Sequence, residues 1–548
     1  MGGPVEAKSA TALDPRLERP PAPSPRTPAR RARAPMLLVA AAALIGAAAA
    51  LPVGYLAITV GGELSGALDT VLRERTLRLV LRSIGLAGAV TAGTLALALP
   101  LAWLTVRTDL PGRRVWTVLT LLPLVIPSYI GAYLVVSALG PRGLVQDLLE
   151  GPLGVERLPS IYGFSGALLT LTLFTYPLAL LTIRASLRRL DPSLEEAARG
   201  MGRSGWQVYR TVVLPQLAPA IGAGALLVAL YVLHDFGAVS ILRFDSFTRV
   251  IYTSYGTGSR TGAAALASLL VLVMLVVLWL EGRARRSRAY HRSAPGSVRP
   301  AQVMPLGRWR WPALGFCAAV VTLALLLPMA VLVHWSLESF GGSPDWAGIA
   351  AAGGNSLLAA GTAAGVAALC AIPVSLLSVR FPGPFPVAVE RASYSGYALP
   401  GIVVALALVF FGTRVAEPLY QTLAMLVFAW VVLFLPQAIG STRAALLQVP
   451  PRVEEAARGM GSGPLNVLRT VTAPLAAGGV LAGAALVFLT AIKELPAALI
   501  LAPIGFDTLS TEIWSTTSVG FFERGAVPSL VLLAISAAPL YLLTAREP

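Results

Sequence analysis

Few side chains in this chain can do chemistry, and those that can come in pairs. His234–Asp235 and Lys493–Glu494 are adjacent ionisable pairs set 259 positions apart. Each ends a long apolar run, where burying charge is costly and a functional role is the default expectation. Both are candidates for a translocation pathway, with a charge pair that merely finishes its helix at the interface as the competing reading. A second duplicated feature is the octapeptide EEAARGMG, found at Glu195–Gly202 and again at Glu454–Gly461. No catalytic centre is expected. Three histidines form no metal cluster or Ser/His/Asp order, and the two lysines, Lys8 and Lys493, do not follow glycine as a phosphate-binding loop requires.

The elements that must hold these residues are membrane helices. The chain is 56% hydrophobic and 13% charged, where a soluble domain carries roughly 25% charged residues. Apolar runs of about 20 residues, enough to cross a hydrocarbon core, recur at 36–60, 84–106, 115–139, 161–184, 216–240, 262–280, 312–335, 356–379, 390–412, 418–440, 474–492 and 526–544. The predicted fold class is an all-α polytopic membrane protein of about twelve spans, because helices satisfy their own backbone groups in lipid and no dyad alternation suggests a barrel. The run from Met36 to Val60 exceeds the apolar region of a signal peptide, so it is read as a retained helix. Cys317 and Cys370 lie in apolar runs and read as small buried hydrophobes.

The net charge of +16 does not point to nucleic acid. Its arginines concentrate in residues 1–35, a basic tail expected to be disordered, and in 282–310, a linker with Arg283, Arg285, Arg286, Arg288, Arg292 and Arg299. Both stretches flank spans, where cations mark the cytoplasmic side. These segments bound two halves, 36–281 and 311–548, with the amino terminus inside.

The halves repeat one another. Between Glu195–Pro215 and Glu454–Pro474, 13 of 21 aligned positions are identical. Upstream, Pro100, Arg107 and Pro127 pair with Pro373, Arg380 and Pro400 at an offset of 273, consistent with 14 extra residues near 141–160 of the first half. Six spans separate the octapeptides, so both face one side, and the repeats are parallel about a pseudo-twofold axis along the membrane normal. On this topology Arg73, Arg75, Arg78 and Arg82 fall outside, against the charge rule.

Locally, Asp191 is a helix cap with Pro192 in the first turn, Glu195 can pair with Arg199 one turn on, and Gly200 and Gly202 interrupt the helix. Ser204 with Gln207 forms a capping box for a second short helix, and Pro464 starts its counterpart. A wet interhelical loop copied by duplication is the plain reading of such a segment. Other loops have diverged between the halves while this one has barely changed, which suggests a shared constraint. Two like-facing copies suit a partner that is itself twofold, each helix laid in a groove.

These residues carry a resemblance. Glu-Ala-Ala, three residues, Gly, nine residues, then Ile-x-Leu-Pro is the pattern of the signature loop of ABC importer permeases, and this chain resembles it. The first half matches through Glu196, Ala197, Ala198, Gly202 and Pro215, and the second through Glu455, Ala456, Ala457, Gly461 and Pro474, with Ala473 departing from the usual leucine. The segments after His234–Asp235 and Lys493–Glu494 look like those of fused permeases in the ferric-iron group; thiamine permeases share that plan. The resemblance implies the type I importer fold and coupling helices, with Glu195 and Glu454 included, that dock on two copies of a separate ATPase chain. It also implies an extracytoplasmic binding protein and a bacterial inner-membrane location. No cofactor is expected on this chain; ATP and magnesium belong to the ATPase. An ion-coupled secondary transporter also uses twelve helices in parallel halves but needs carboxylates near the bilayer midplane. A passive channel needs rings of like side chains, and none is present.

Overall fold

The computed structural model describes residues 34–141, 143–154, 158–286, 303–342 and 344–544. The expectations for the tail and for most of the linker lie outside these residues. Twelve principal helices fall into two sets of six. The first set is α1 (Met36–Gly62), α2 (Glu74–Arg107), α3 (Ser128–Leu139), α4 (Phe164–Arg188), α5 (Gly205–His234) and α6 (Arg260–Arg286). The second is α7 (Gly307–Gly341), α8 (Trp346–Arg380), α9 (Gly401–Arg414), α10 (Leu423–Gln448), α11 (Pro464–Ala491) and α12 (Phe522–Thr544). Among the described residues, nine of these are long and apolar enough to cross a membrane, or ten if the bent pair containing α3 counts as one span.

Two of the departures from twelve uniform spans have a physical cause at prolines. The expected spans 115–139 and 390–412 are each broken. Ile126 and Leu399 sit in extended backbone (ψ 116° and 130°) directly before Pro127 and Pro400, because proline excludes the residue ahead of it from the helical region. The chain bends by 96° at the first break, which leaves α3 and α9 as short, almost wholly buried helices. The span expected at 216–240 likewise stops at His234, and a separate short helix, Gly237–Ile241, follows. Helices α2 and α8, by contrast, start about ten residues earlier than the hydropathy suggests. At 1.5 Å per residue each is about 50 Å long, so its ends stand clear of a 30 Å hydrocarbon core.

Each half lends its first helix to the other. Helix α1 packs on α6 of its own half but also on α8, α9 and the short helix Pro384–Ser393 of the second half. Helix α7 packs on α12 of its own half and on α3 of the first. One hydrogen bond pins each exchange: Ser395 Oγ donates to the Ala49 carbonyl at 3.1 Å, and Trp335 Nε1 donates to Ser137 Oγ.

Within each half, close helix approach depends on small residues, since apolar burial offers no drive between helices in lipid. A Cβ on Gly224 of α5 would stand 3.0 Å from Ala179 Cα on α4, and one on Gly483 of α11 would stand 3.1 Å from Ala438 Cα on α10. Both partners repeat at an offset of 259. Cys317 is fully buried and Cys370 partly so, as expected of small apolar fillers.

Candidate functional site: two octapeptide loops and two capping carboxylates

Each octapeptide forms a short helix, Pro192–Gly200 in the first half and Pro451–Gly459 in the second. Asp191 caps the first through the Ser193 amide at 3.0 Å, with Pro192 in the first turn. The second has no such cap and starts on Pro450–Pro451. Both end alike. Gly202 (φ 79°) and Gly461 (φ 87°) take the left-handed conformation, and the following amides, of Arg203 and Ser462, close back on the Ala198 and Ala457 carbonyls at 3.2 and 3.1 Å. This is the Schellman ending that glycine favours. The Ser204–Gln207 capping box is present and Pro464 begins the second copy's next helix. A π-turn follows at Tyr209–Val213 and at Leu468–Thr472, the same point of each repeat.

The expected Glu195–Arg199 pair does not form. Glu195 instead pairs with Arg107, the last residue of α2, and the two side chains are only 8% and 2% exposed. Its counterpart Glu454 binds Arg380, the last residue of α8, at 2.8 Å. Glu454 also accepts from Thr472 Oγ1 at 3.0 Å and lies 3.7 Å from Arg458. A turn-spanning pair at the surface contributes a few tenths of a kcal/mol, whereas a buried carboxylate must find a cation, so the inward-facing geometry wins. Arg199 turns away and donates to Met304 Sδ at 3.5 Å. Met304 is itself held by backbone hydrogen bonds to Arg107 and Asp109, so the end of the linker lies against the first octapeptide loop. Arg107 and Arg380 were visible in the sequence as a repeated pair; their link to the loops was not.

The ion pairs orient each short helix. Glu195 and Ala198, like Glu454 and Ala457, point inward, while Glu196, Ala197, Glu455 and Ala456 are exposed. The outward face carries large apolar side chains at matched positions: Leu194, Met201 and Trp206 (52%, 71% and 67% exposed) and Val453, Met460 and Leu465 (43%, 81% and 67%). Pro215 and Pro474 sit just past the π-turns, in the first turn of the regular helix. Apolar groups of this size, displayed twice on one face, suit a docking surface.

At the opposite ends of α5 and α11 the matched carboxylates are neither paired with their neighbours nor free in solvent, so neither exposed snorkelling nor His–Asp or Lys–Glu pairing describes them. Asp235 is 6% exposed and caps the short helix Gly237–Ile241, accepting from the Ala238 and Val239 amides at 3.0 and 3.3 Å. The Ser128 hydroxyl also bonds to it. Glu494 caps Pro496–Leu501 in the same way, accepting from the Ala497 and Ala498 amides at 3.0 and 3.3 Å and from Trp430 Nε1 at 2.9 Å. The shorter Asp235 faces Ser128; the longer Glu494 faces Gly401, where a Cβ would come within 2.4 Å of its Oε1. Ser128 and Gly401 are equivalent positions, so the size changes compensate. His234 Nδ1 lies 2.7 Å from the Leu230 carbonyl. Ser128, Gly401 and Trp430 carry no local signal that would have singled them out. Among the described residues no group of His, Cys, Asp or Glu could hold a metal ion.

Comparison with known proteins agrees with this geometry. A family described as binding-protein-dependent transport system inner membrane component matches twice, over residues 95–287 and 361–546. The Fe(3+)-transport system permease protein FbpB 2 of Haemophilus influenzae is 32% identical over 487 residues, covering 88% of this chain and 92% of the relative. The ferric transport system permease protein FbpB of Actinobacillus pleuropneumoniae is 22% identical, covering 84% and 70%. The molybdenum transport system permease protein ModB of Escherichia coli is 31% identical, over 40% of this chain and 97% of its own. Two family matches on one chain, each containing a loop anchored by an arginine–glutamate pair, place this protein in the binding-protein-dependent transport system inner membrane component family, as the permease component of an ABC transporter in a multi-pass bacterial inner-membrane setting.

Proposed function

We propose that this chain imports ferric iron delivered by an extracytoplasmic binding protein, powered by two copies of a separate ATPase docked on the two octapeptide loops. The observation that carries the reading is the matched pair of outward apolar faces, Leu194/Met201/Trp206 and Val453/Met460/Leu465, each held rigidly to the long helix of its half. ATP and magnesium act on the partner chain, and closure of the ATPase dimer moves the two loops together. Because α1 and α7 are exchanged between halves, that motion is shared across the pseudo-twofold axis and opens a central route alternately to each side. In this reading the loops and the amino terminus are cytoplasmic, the functional halves are 36–281 and 311–548, and Asp235 and Glu494 shape the outer end of the route by fixing the short helices they cap.

Iron is favoured because the likeness to the Haemophilus ferric permease spans both halves. The molybdenum likeness covers one half only, so an oxyanion is the second reading. Uptake of radiolabelled ferric iron, molybdate, sulfate and thiamine by cells carrying the whole transporter separates these cargoes. Native mass spectrometry of the purified complex tests assembly: two ATPases per chain are expected, and one per chain overturns the coupling role of the paired loops.

A further inference from the structure

Across the pseudo-twofold axis the face opposite the coupling loops is charged unequally. In the first half a cavity of about 660 Å³ opens between the start of α2 and the segment leading into α6, lined by Arg73, Arg75, Arg78 and Arg82. Arg78 pairs with Glu74 at 3.2 Å, and Arg249 pairs with Asp245. Arg73, Arg75 and Arg82 have no ion pair among the described residues. These are the arginines that fit the charge rule poorly.

The equivalent region of the second half is fixed by two homologous hydrogen bonds. The Phe247 amide donates to Ser83 Oγ at 3.2 Å, and the Leu509 amide donates to Ser356 Oγ at 2.8 Å. With that register, Arg75, Arg78 and Arg82 correspond to Gly348, Ala351 and Asn355, and Arg249 and Val250 to Thr511 and Glu512. The second half gathers Asp345, Asp507 and Glu512 there. Asp345 caps the start of α8 through the Gly348 amide at 2.9 Å, and Asn355 of α8 donates to the Asp507 carbonyl at 3.0 Å; burial, then Asp507 and Asp345, push the Glu512 carboxyl above its ordinary range. Over matched windows, 61–82 with 243–262 and 334–355 with 505–524, the first half carries seven arginines against four carboxylates and the second five carboxylates against one arginine.

A backbone that repeats while its charge inverts presents an electrical dipole to whatever docks on that face. We propose that this dipole orients the delivering binding protein, so that an acidic lobe seats over the arginine cavity of the first half and a basic lobe over Asp345, Asp507 and Glu512 of the second. The inference rests on the proposed delivery by an external binding protein. A two-lobed protein meeting a pseudo-symmetric surface has two docked orientations related by a half turn, and shape alone separates them poorly. The rotated orientation sets like charges against each other, and such juxtaposition is what suppresses wrong docking. Steering by the same field raises the encounter rate and weakens with salt.

The test uses the whole transporter in nanodiscs and, as probe, the purified substrate-binding protein that stimulates its wild-type ATPase. Three variants are compared: Arg75→Glu with Arg82→Glu, Asp507→Lys with Glu512→Lys, and all four together. A milder variant, Arg75→Gln with Arg82→Gln, serves if the reversals do not insert. Each reversal is expected to raise the binding-protein concentration for half-maximal stimulation by about tenfold at low salt, with basal ATPase activity and assembly unchanged because the coupling loops lie on the other face. The fourfold variant is expected to recover binding and to switch the cross-links between binding-protein lobes and permease halves. Unchanged half-maximal concentrations with an unchanged cross-link pattern overturn the dipole while leaving the delivery reading intact. Failure of any binding protein to stimulate the wild type overturns both.

Discussion

The buried pair of the first octapeptide loop is the strongest point at which to perturb the proposed coupling, and Glu195→Gln is the cleanest change. It keeps the shape of the side chain and removes its charge. Arg107 is 2% exposed and its Nε already lacks an acceptor, so the variant leaves a buried cation with one amide oxygen. Removing one partner of a buried ion pair costs about 3–5 kcal/mol. The remaining amide oxygen puts this case near the lower end, about 3 kcal/mol, which at 1.36 kcal/mol per tenfold is about a hundredfold in the opening equilibrium of the loop. Glu454→Gln is expected to be milder, about 1–2 kcal/mol, because Arg380 is 16% exposed and keeps the Val449 carbonyl at 3.2 Å. Hydrogen exchange on peptides covering 192–203 and 451–462 of the assembled transporter reads both. Exchange that is unchanged, or faster in the second loop than in the first, refutes the reasoning. An apolar replacement of the pair, Arg107→Met with Glu195→Leu, should return exchange towards the wild-type rate, since it strands no charge.

Three further outcomes follow from the same geometry. A Cβ at Gly202 or Gly461 would meet no neighbouring atoms, so the main cost of Gly202→Val and Gly461→Val is left-handed backbone strain, about 1–2 kcal/mol; transport normalised to inserted protein should fall while insertion persists. Gly224→Val and Gly483→Val should each lower the melting midpoint in detergent through overpacking of about 1–3 kcal/mol, whereas Gly222→Ala, which faces open space, should not. Asp235→Asn with Glu494→Gln keeps an oxygen on the backbone amides but removes the charge that strengthens those bonds, costing about 1 kcal/mol at each cap; uptake should drop with ATPase assembly intact, and full uptake would show that the caps do not shape the route.

Much of this protein was legible in its sequence because the relevant physics is local or periodic. Lipid demands apolar helices, so hydropathy alone exposed the membrane class and most of the helical runs. Duplication exposed the two halves, and the capping chemistry of Asp191, Ser204 and Pro464, with glycines at the helix ends, read out the octapeptide loops residue by residue. What failed was the assumption that an apolar run is one span. Pro127 and Pro400 break two such runs, and the backbone restriction they impose outweighs continuous hydropathy.

Other features belong to the tertiary structure alone. Glu195 had a plausible partner four residues away and chose one 88 positions earlier, because only the packing of the loop under α2 removes both groups from water. Asp235 and Glu494 read as charges at span ends, yet the fold holds them as caps beside Ser128 and Trp430, groups distant in sequence. The exchange of α1 and α7 between halves left no mark on hydropathy, since an apolar helix is equally greasy whichever neighbour it meets. The sequence by itself determined which segments are helical, that they repeat and where each loop must bend; which residue meets which across the bundle was decided by packing, where burial makes a charge find its partner at any distance along the chain.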